Sequence, residues 1–259
     1  MPLNDLMMQF QERAKENLLL WGTTIFLLVL SAYMEKLATP AKRPFSLTDI
    51  NISYPFVEVE KYPESILFLL CIIGPFVLMS VLILLDKITG KFHRFYKATS
   101  CFSFAVALTS FVTTFLKKRL AKLRPDFLAR CKPTVGAAKA KELLYDEQIC
   151  TAPYGEFILN DGYKSCPSGH SSMSMCGMIF LSMWLYVTYG RRSKNGLVGL
   201  FCFTPMLLAL DVVTSRIYDF KHGYFDIIMG SLVGAACTIA SIVYIELDIK
   251  DSADVVLPI

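Results

Sequence analysis

The stretch SRIYDFKHGYFD, Ser215 to Asp226, joins two apolar runs, Gly196 to Thr214 and Phe225 to Ile245, each long enough to cross a bilayer. If both runs are spanning helices, this fragment places an arginine, a histidine and an aspartate together at a membrane boundary. They either flank the membrane or do chemistry there. The composition favours a bilayer environment: 54% of residues are hydrophobic, only 19% are charged, and mean hydropathy is +0.47. That is more apolar than an ordinary soluble domain, and the apolar residues come in blocks.

A hydrocarbon core of ~30 Å needs about 20 residues at a rise of ~1.5 Å each. Six runs qualify: Leu18 to Met34, Ser65 to Leu85, Ala98 to Leu116, Ser171 to Tyr189, Gly196 to Thr214 and Phe225 to Ile245. The fifth carries Thr204, Pro205 and Asp211, and a polar side chain in a span is expected to face a protein interior or a cavity. The first is read as an uncleaved anchor, because a mixed-charge segment precedes it and SAYMEKLA lacks a small-residue cleavage site. With no internal repeat, the expected architecture is all-α, one polytopic membrane domain over residues 1–259. A long loop, about 117–169, contains a helix-like stretch, KAKELLYDEQI.

The short loops richer in Lys and Arg, such as Lys87 to Lys97 and Arg191 to Lys194, lie on the side of the N-terminus, which places that side in the cytoplasm. The sequon Asn51-Ile52-Ser53 then falls on the lumenal or exterior side, as expected of a glycoprotein. So do Cys131, Cys150 and Cys166; a Cys131–Cys150 disulfide and three free thiols are both compatible with the spacing.

Alternating spans bring four segments to one face: KKRLAKLRP (Lys117 to Pro125), CPSGH (Cys166 to His170), Ser215-Arg216, and KHGYFD (Lys221 to Asp226). Lys117, Arg124 and Arg216 converge there without a comparable set of acids, so the face should attract a compact anion. Pro167, Ser168 and Gly169 add backbone N–H groups at a helix N-terminus, where a phosphate is well held. His222 and Asp226, four apart, share a face if helical, so the carboxylate can hold one ring nitrogen while the other attacks phosphorus. His170 can protonate the leaving oxygen. No metal-ligand spacing occurs, and the fixed cations can offset the charge on the equatorial oxygens, so no metal and no cofactor are expected. In this reading Lys118, Arg119 and Lys122 snorkel at the boundary, and Tyr218, Asp219 and Lys221 are loop residues. Ser168 alone would be read as an N-cap.

The motifs K-x6-RP (Lys117 to Pro125), PSGH (Pro167 to His170) and SR-x5-H-x3-D (Ser215 to Asp226) occur in order and complete. The chain thereby resembles the type 2 phosphatidic acid phosphatases, the integral lipid phosphate phosphatases. RPDFLARC, FSLTDINISYPF and DGYKSCPSGH further resemble the fungal lipid phosphate and diacylglycerol pyrophosphate phosphatases, and the likeness runs from about Pro44 to Glu246. The resemblance implies a six-helix core with the site at helix ends, a phosphohistidine on His222 oriented by Asp226, and His170 as acid. It also implies phosphate binding by Lys117, Arg124, Ser168, Gly169 and Arg216, and activity without Mg²⁺.

The implied partners are membrane lipids and a lipid phosphate within the bilayer; no nucleic acid is expected. Phosphatidate, lysophosphatidate and diacylglycerol pyrophosphate lead as substrates, with polyprenyl pyrophosphates and sphingoid-base phosphates as alternatives. The implied location is an endomembrane or the plasma membrane, with the site facing the lumen or exterior. A non-catalytic binder should lack His170 or His222, and both are present. A transporter should show ionisable residues deep in several spans, and only Asp211 qualifies.

Overall fold

The computed structural model describes residues 3–37, 39–86, 91–135 and 144–250, with side chains described for 18–37, 39–86, 95–135 and 144–243. Six helices are long and apolar enough to cross a membrane. They are α1 (Leu3–Leu37, apolar from Leu18), α2 (Glu64–Leu85), α3 (Lys91–Leu120), α4 (Gly169–Gly190), α5 (Gly196–Tyr218) and α6 (Tyr224–Lys250). Each overlaps an expected run to within a few residues. The protein is an all-helical, multi-pass membrane protein; among the described residues extended pairing is confined to two isolated bridges, Phe45 with Tyr145 and Pro133 with Cys150.

Two expectations are corrected here. Residues 139–143 of the helix-like stretch lie outside the described residues, as does Lys87, and the remainder is not α-helical. Tyr145 exchanges both backbone hydrogen bonds with Phe45, at 2.9 and 2.8 Å, which holds it extended, and Glu147–Ile149 forms one 3₁₀ turn. Asp211, expected to face inward, instead lies half-exposed on α5. It accepts from Lys61 Nζ at 2.8 Å and from the Tyr62 hydroxyl, so a loop cation rather than a bundle interior neutralises it. Pro205 does break α5, into Gly196–Phe201 and Pro205–Tyr218, and it starts the second half, where a missing N–H costs nothing.

The helix α4 is central, packing against α6, α5 and α3, while α1 leans on α3. Close approach of α6 to α4 depends on Gly230 and Gly234, four apart on one face. A Cβ at Gly230 would lie 2.4 Å from the Ser168 carbonyl oxygen, and one at Gly234 2.2 Å from that of Ser172. Two small residues at this spacing let backbones touch, the usual device where lipid removes the hydrophobic drive between helices.

Over one end of the bundle, the segments 39–63, 121–135 and 144–168 form a cap with its own core of Phe45, Leu47, Ile52, Phe127, Cys131, Tyr145, Leu159 and Tyr163. Phe127 stands edge-on to Phe45 and Tyr163, with centroids 4.9 and 4.8 Å apart. Cys131 and Cys150 are joined in a disulfide, while Cys166 is free and buried. The cap also encloses Arg130, which binds both oxygens of buried Asp126 at 2.8 and 2.9 Å and Asp161 Oδ2 at 2.9 Å.

Candidate active site

The eight site residues read from the sequence meet where the cap covers the ends of α3, α4, α5 and α6. Lys117 is in the last turn of α3. Its Nζ lies only 3.2 Å from where a Cβ on Gly169 would be, so a side chain at the head of α4 would shift the ammonium by a few tenths of an ångström. Ser168 is wholly buried and caps α4, its Oγ accepting from the Ser171 N–H at 3.3 Å. The first-turn amides of α4 are thereby fixed beside Lys117.

Arg124 and Arg216 are both buried and both held by acids at positions that the three motifs leave unspecified. Arg124 donates from Nε to the Asp161 carbonyl and from NH2 to Asp161 Oδ1, each at 2.9 Å, and from NH1 to the Lys221 carbonyl at 3.4 Å. Arg216 donates to Ser215 Oγ at 3.0 Å, to Glu60 Oε2 at 2.6 Å and to Asp219 Oδ2 at 2.9 Å. The expectation of a cationic face without matching acids is therefore corrected: Asp161 comes from the cap helix Glu156–Asp161, Glu60 from the irregular loop before α2, and Asp219 from the turn after α5. A guanidinium has five N–H donors, so each arginine still has two that these partners do not use.

Asp219 and Lys221 are not idle loop residues. Both are buried; Lys221 Nζ donates to the Val57 carbonyl at 2.7 Å, lies 3.4 Å from Glu60 Oε1 and sits 4.2 Å from the centre of the Phe56 ring. Burial disfavours the charge on Glu60, but the hydrogen bond and charge of Arg216, with Lys221 and His170, outweigh it and hold the carboxyl below its usual range. Asp161 is depressed the same way: burial opposes ionisation, and Arg124, Arg130, Lys117 and Lys164 together overcome it.

The geometry of the two histidines departs from a direct His222–Asp226 pair. His222 precedes α6 rather than lying on its face: its N–H bonds to the Arg216 carbonyl at 3.2 Å, closing the turn from α5. The ring Nδ1 lies 2.7 Å from the Ser165 carbonyl oxygen, and that is its one hydrogen bond among the described residues. Asp226, wholly buried, spends its oxygens on other donors: Lys122 Nζ at 2.7 Å, Ser165 Oγ at 2.6 Å and the Gly223 N–H at 2.9 Å. Lys122, expected to snorkel, is thus an ion-pair partner inside the site. His170, in the first turn of α4, places Nε2 2.9 Å from the Tyr62 carbonyl oxygen.

Burial pushes the His222 imidazole well below its ordinary pKa of 6.5, and the charges of Arg124, Lys117 and His170 add to the effect. The ring is neutral at pH 7. A carbonyl can only accept, so Nδ1 carries the proton and Nε2 keeps its lone pair. Burial, with Asp226 nearby, pushes the Cys166 thiol up to about 11, which leaves it protonated and unsuited as a nucleophile. Among the described residues no group of three or more His, Cys, Asp or Glu side chains is placed to hold a metal ion.

A cleft of about 300 Å³ opens from Lys117, Gly169 and His170 down between α2 and α3. Leu67, Phe68, Ile72 and Met173 make part of its lining apolar; Ser110, Thr113, Thr114 and the carboxylates Glu35 and Glu64 make the rest polar. An anionic head at the cations and an apolar body toward the bilayer would both be accommodated.

Residues 98–249 match the family described as the PAP2 superfamily. The chain is 33% identical, over 82% of its own length and 74% of the relative's, to a protein of Schizosaccharomyces pombe named probable diacylglycerol pyrophosphate phosphatase 1. It is 32% identical to diacylglycerol pyrophosphate phosphatase 1 of Saccharomyces cerevisiae, over 81% and 73% of the two chains. With phospholipid phosphatase 1 of Mus musculus it shares 28% identity over 83% and 78%. No solved structure matches the chain.

Proposed function

Because the chain belongs to the PAP2 superfamily, and is a phosphatase embedded in a membrane, we propose that it removes the terminal phosphate of lipid phosphates through a phosphohistidine on His222. The observation that carries this reading is the neutral, buried imidazole of His222, its Nδ1 turned to a carbonyl and its Nε2 without a hydrogen-bond partner among the described residues, in the field of Lys117 and Arg124.

In the first step Nε2 attacks phosphorus, and the bond from phosphorus to the lipid oxygen breaks. That oxygen takes a proton from His170 and departs as an alcohol, or as a phosphomonoester when the substrate is a pyrophosphate. In the second step His170 takes a proton from water, which attacks phosphorus and frees inorganic phosphate from His222. Lys117, the unused N–H groups of Arg124 and Arg216, and the amides at the head of α4 offset charge on the equatorial oxygens. These fixed donors make the reaction independent of Mg²⁺ in this proposal.

The substrates are phosphatidate, lysophosphatidate and diacylglycerol pyrophosphate. The amphipathic cleft supports them, since acyl chains can remain in the bilayer while the head reaches the cations. The site faces the lumen or exterior of an endomembrane or the plasma membrane; the Cys131–Cys150 disulfide, formed in oxidising compartments, and the exposed sequon residue Asn51 support that side. The test is phosphate release by the purified chain from dioctanoyl phosphatidate in mixed micelles with EDTA. The reading predicts full turnover in EDTA and none in His222→Ala; equal rates in the two proteins would overturn it. A panel including farnesyl pyrophosphate and sphingosine phosphate ranks the substrates.

A further inference from the structure

His222 and Asp226 share no hydrogen bond, yet one residue outside the three motifs joins them. Ser165 is wholly buried; its Oγ donates to Asp226 Oδ2 at 2.6 Å, and its carbonyl oxygen lies 2.7 Å from His222 Nδ1. Its own N–H donates to the Lys122 carbonyl at 2.9 Å, and Lys122 Nζ binds the second oxygen of Asp226 at 2.7 Å. We propose that Ser165 is a positioning residue for phosphoryl transfer, through which Asp226 aims His222 without touching it. The proposal rests on the reading of His222 as nucleophile.

A neutral imidazole has one N–H, and its partner decides which nitrogen carries it. Here the partner is a peptide carbonyl, whose direction is fixed because the same residue is tethered through Oγ to a carboxylate. That carboxylate is itself pinned by Lys122 and by the Gly223 N–H. Removing Oγ leaves the carbonyl present but held only by the backbone and its N–H bond to the Lys122 carbonyl, so the ring keeps its acceptor and loses part of its aim. Attack through Nε2 makes the phosphorylated ring cationic, and a neutral carbonyl stabilises that cation less than a carboxylate in direct contact would. The phosphohistidine therefore stays reactive toward water. The other charged groups felt by the ring, Arg124, Lys117 and His170, are all cationic when charged, which disfavours the cation further.

The test uses the full-length protein in micelles with dioctanoyl phosphatidate, comparing wild type, Ser165→Ala, Ser165→Thr, Asp226→Asn and the Ser165→Ala/Asp226→Asn double variant. Ser165→Ala is expected to lower kcat by about ten- to hundredfold, the order expected for one charge-assisted hydrogen bond, with KM and the inhibition constant for inorganic phosphate unchanged. The added loss from Asp226→Asn should shrink several-fold when Ser165 is already alanine, because the two act in series. Ser165→Thr, which keeps the hydroxyl, should recover part of the rate. Wild-type kcat in Ser165→Ala, strictly multiplicative losses in the double variant, or equal loss of kcat and phosphate binding would overturn the proposal. A readout without turnover is the ¹⁵N spectrum of histidine-labelled protein, with His222 assigned by His222→Ala: one fixed Nδ1–H tautomer in wild type, and averaged tautomers in Ser165→Ala. The same fixed tautomer in both would sink the role of Ser165, whereas a chain that releases no phosphate would sink only the catalytic reading.

Discussion

The bundle and the cap hold together by different means, and both contribute to the same site. In the bundle, small residues and apolar packing dominate: Gly230 and Gly234 let α6 rest on the backbone of α4, and Met79, Cys101, Phe102, Ala105 and Phe180 fill the space between helices. In the cap, a short apolar cluster is supplemented by a disulfide and by buried charges, Arg130 with Asp126 and Asp161, and Arg124 with Asp161. The bundle delivers Lys117, Gly169, His170, Arg216 and Asp226 to one end. The cap and the chain leading to α2 deliver the acids and carbonyls that hold them: Asp161, Glu60, Ser165 and Tyr62. Motif residues carry the proposed chemistry, and non-motif residues aim it.

If that division holds, damage to the cap should stop turnover while the bundle stays folded, and damage to the bundle should lower both. The largest effect is expected from Asp126→Ala, which leaves Arg130 buried without its main partner, a loss of about 3–5 kcal/mol. Turnover should disappear while the far-ultraviolet helix signal in micelles is retained. Next, reducing or deleting the Cys131–Cys150 bridge, whose ends are 19 residues apart, should cost the cap about 3 kcal/mol. Activity should become sensitive to reductant at temperatures where helicity is not. In the bundle, Gly234→Ala places a Cβ against the Ser172 carbonyl and should cost about 1–3 kcal/mol, lowering the helix melting temperature and kcat together. Should Gly234→Ala spare helicity, or Asp126→Ala destroy it, the two regions would not be separable.

Smaller effects sharpen the same comparison inside the site. Glu60 occupies Arg216 where the phosphate is proposed to bind, so Glu60→Gln should lower the inhibition constant for inorganic phosphate roughly three- to tenfold, the order of a partly exposed pair worth ~1 kcal/mol. An unchanged constant would remove Glu60 from the binding account. For pH, the proposed attack by His222 requires a neutral ring, and burial with the neighbouring cations keeps it neutral below its ordinary 6.5. After correction for the substrate's own phosphate ionisation, the acid limb of kcat/KM should lie below pH 6.5. The same shift destabilises the fold in acid, because below pH 6.5 the unfolded chain binds a proton that the folded ring refuses. Stability should therefore begin to fall as pH drops through that value.

The bundle was legible because a bilayer imposes length and apolarity on every span, so all six helices and the convergence of four helix ends follow from hydropathy and parity alone. The convergence of the motif residues was legible because they stand at helix ends of one parity, and their types and spacing suit the proposed phosphoryl transfer. What escaped was set by tertiary contact. Nothing local distinguishes Lys122 from a snorkelling lysine; its role appears only when Asp226, on another helix, comes within 2.7 Å. Spacing placed His222 and Asp226 four apart, but spacing implies contact only inside a helix, and α6 begins after His222. Ser165 acts through both its side chain and its backbone, and a carbonyl carries no signature in sequence. A weak signal did exist for Glu60: EVEKYPE, Glu58 to Glu64, concentrates acids just before α2 on the face that gathers the cations.

The central claim is a covalent phosphate on His222. Rapid mixing of the purified protein with ³²P-labelled dioctanoyl phosphatidate, followed by denaturation in alkali, tests it directly. The account predicts label on the chain that survives alkali, is lost in acid, chases with unlabelled substrate at a rate no slower than turnover, and is absent from His222→Ala. Phosphate release by the wild-type protein with no label at the earliest resolvable times, or equal labelling of His222→Ala, would contradict it.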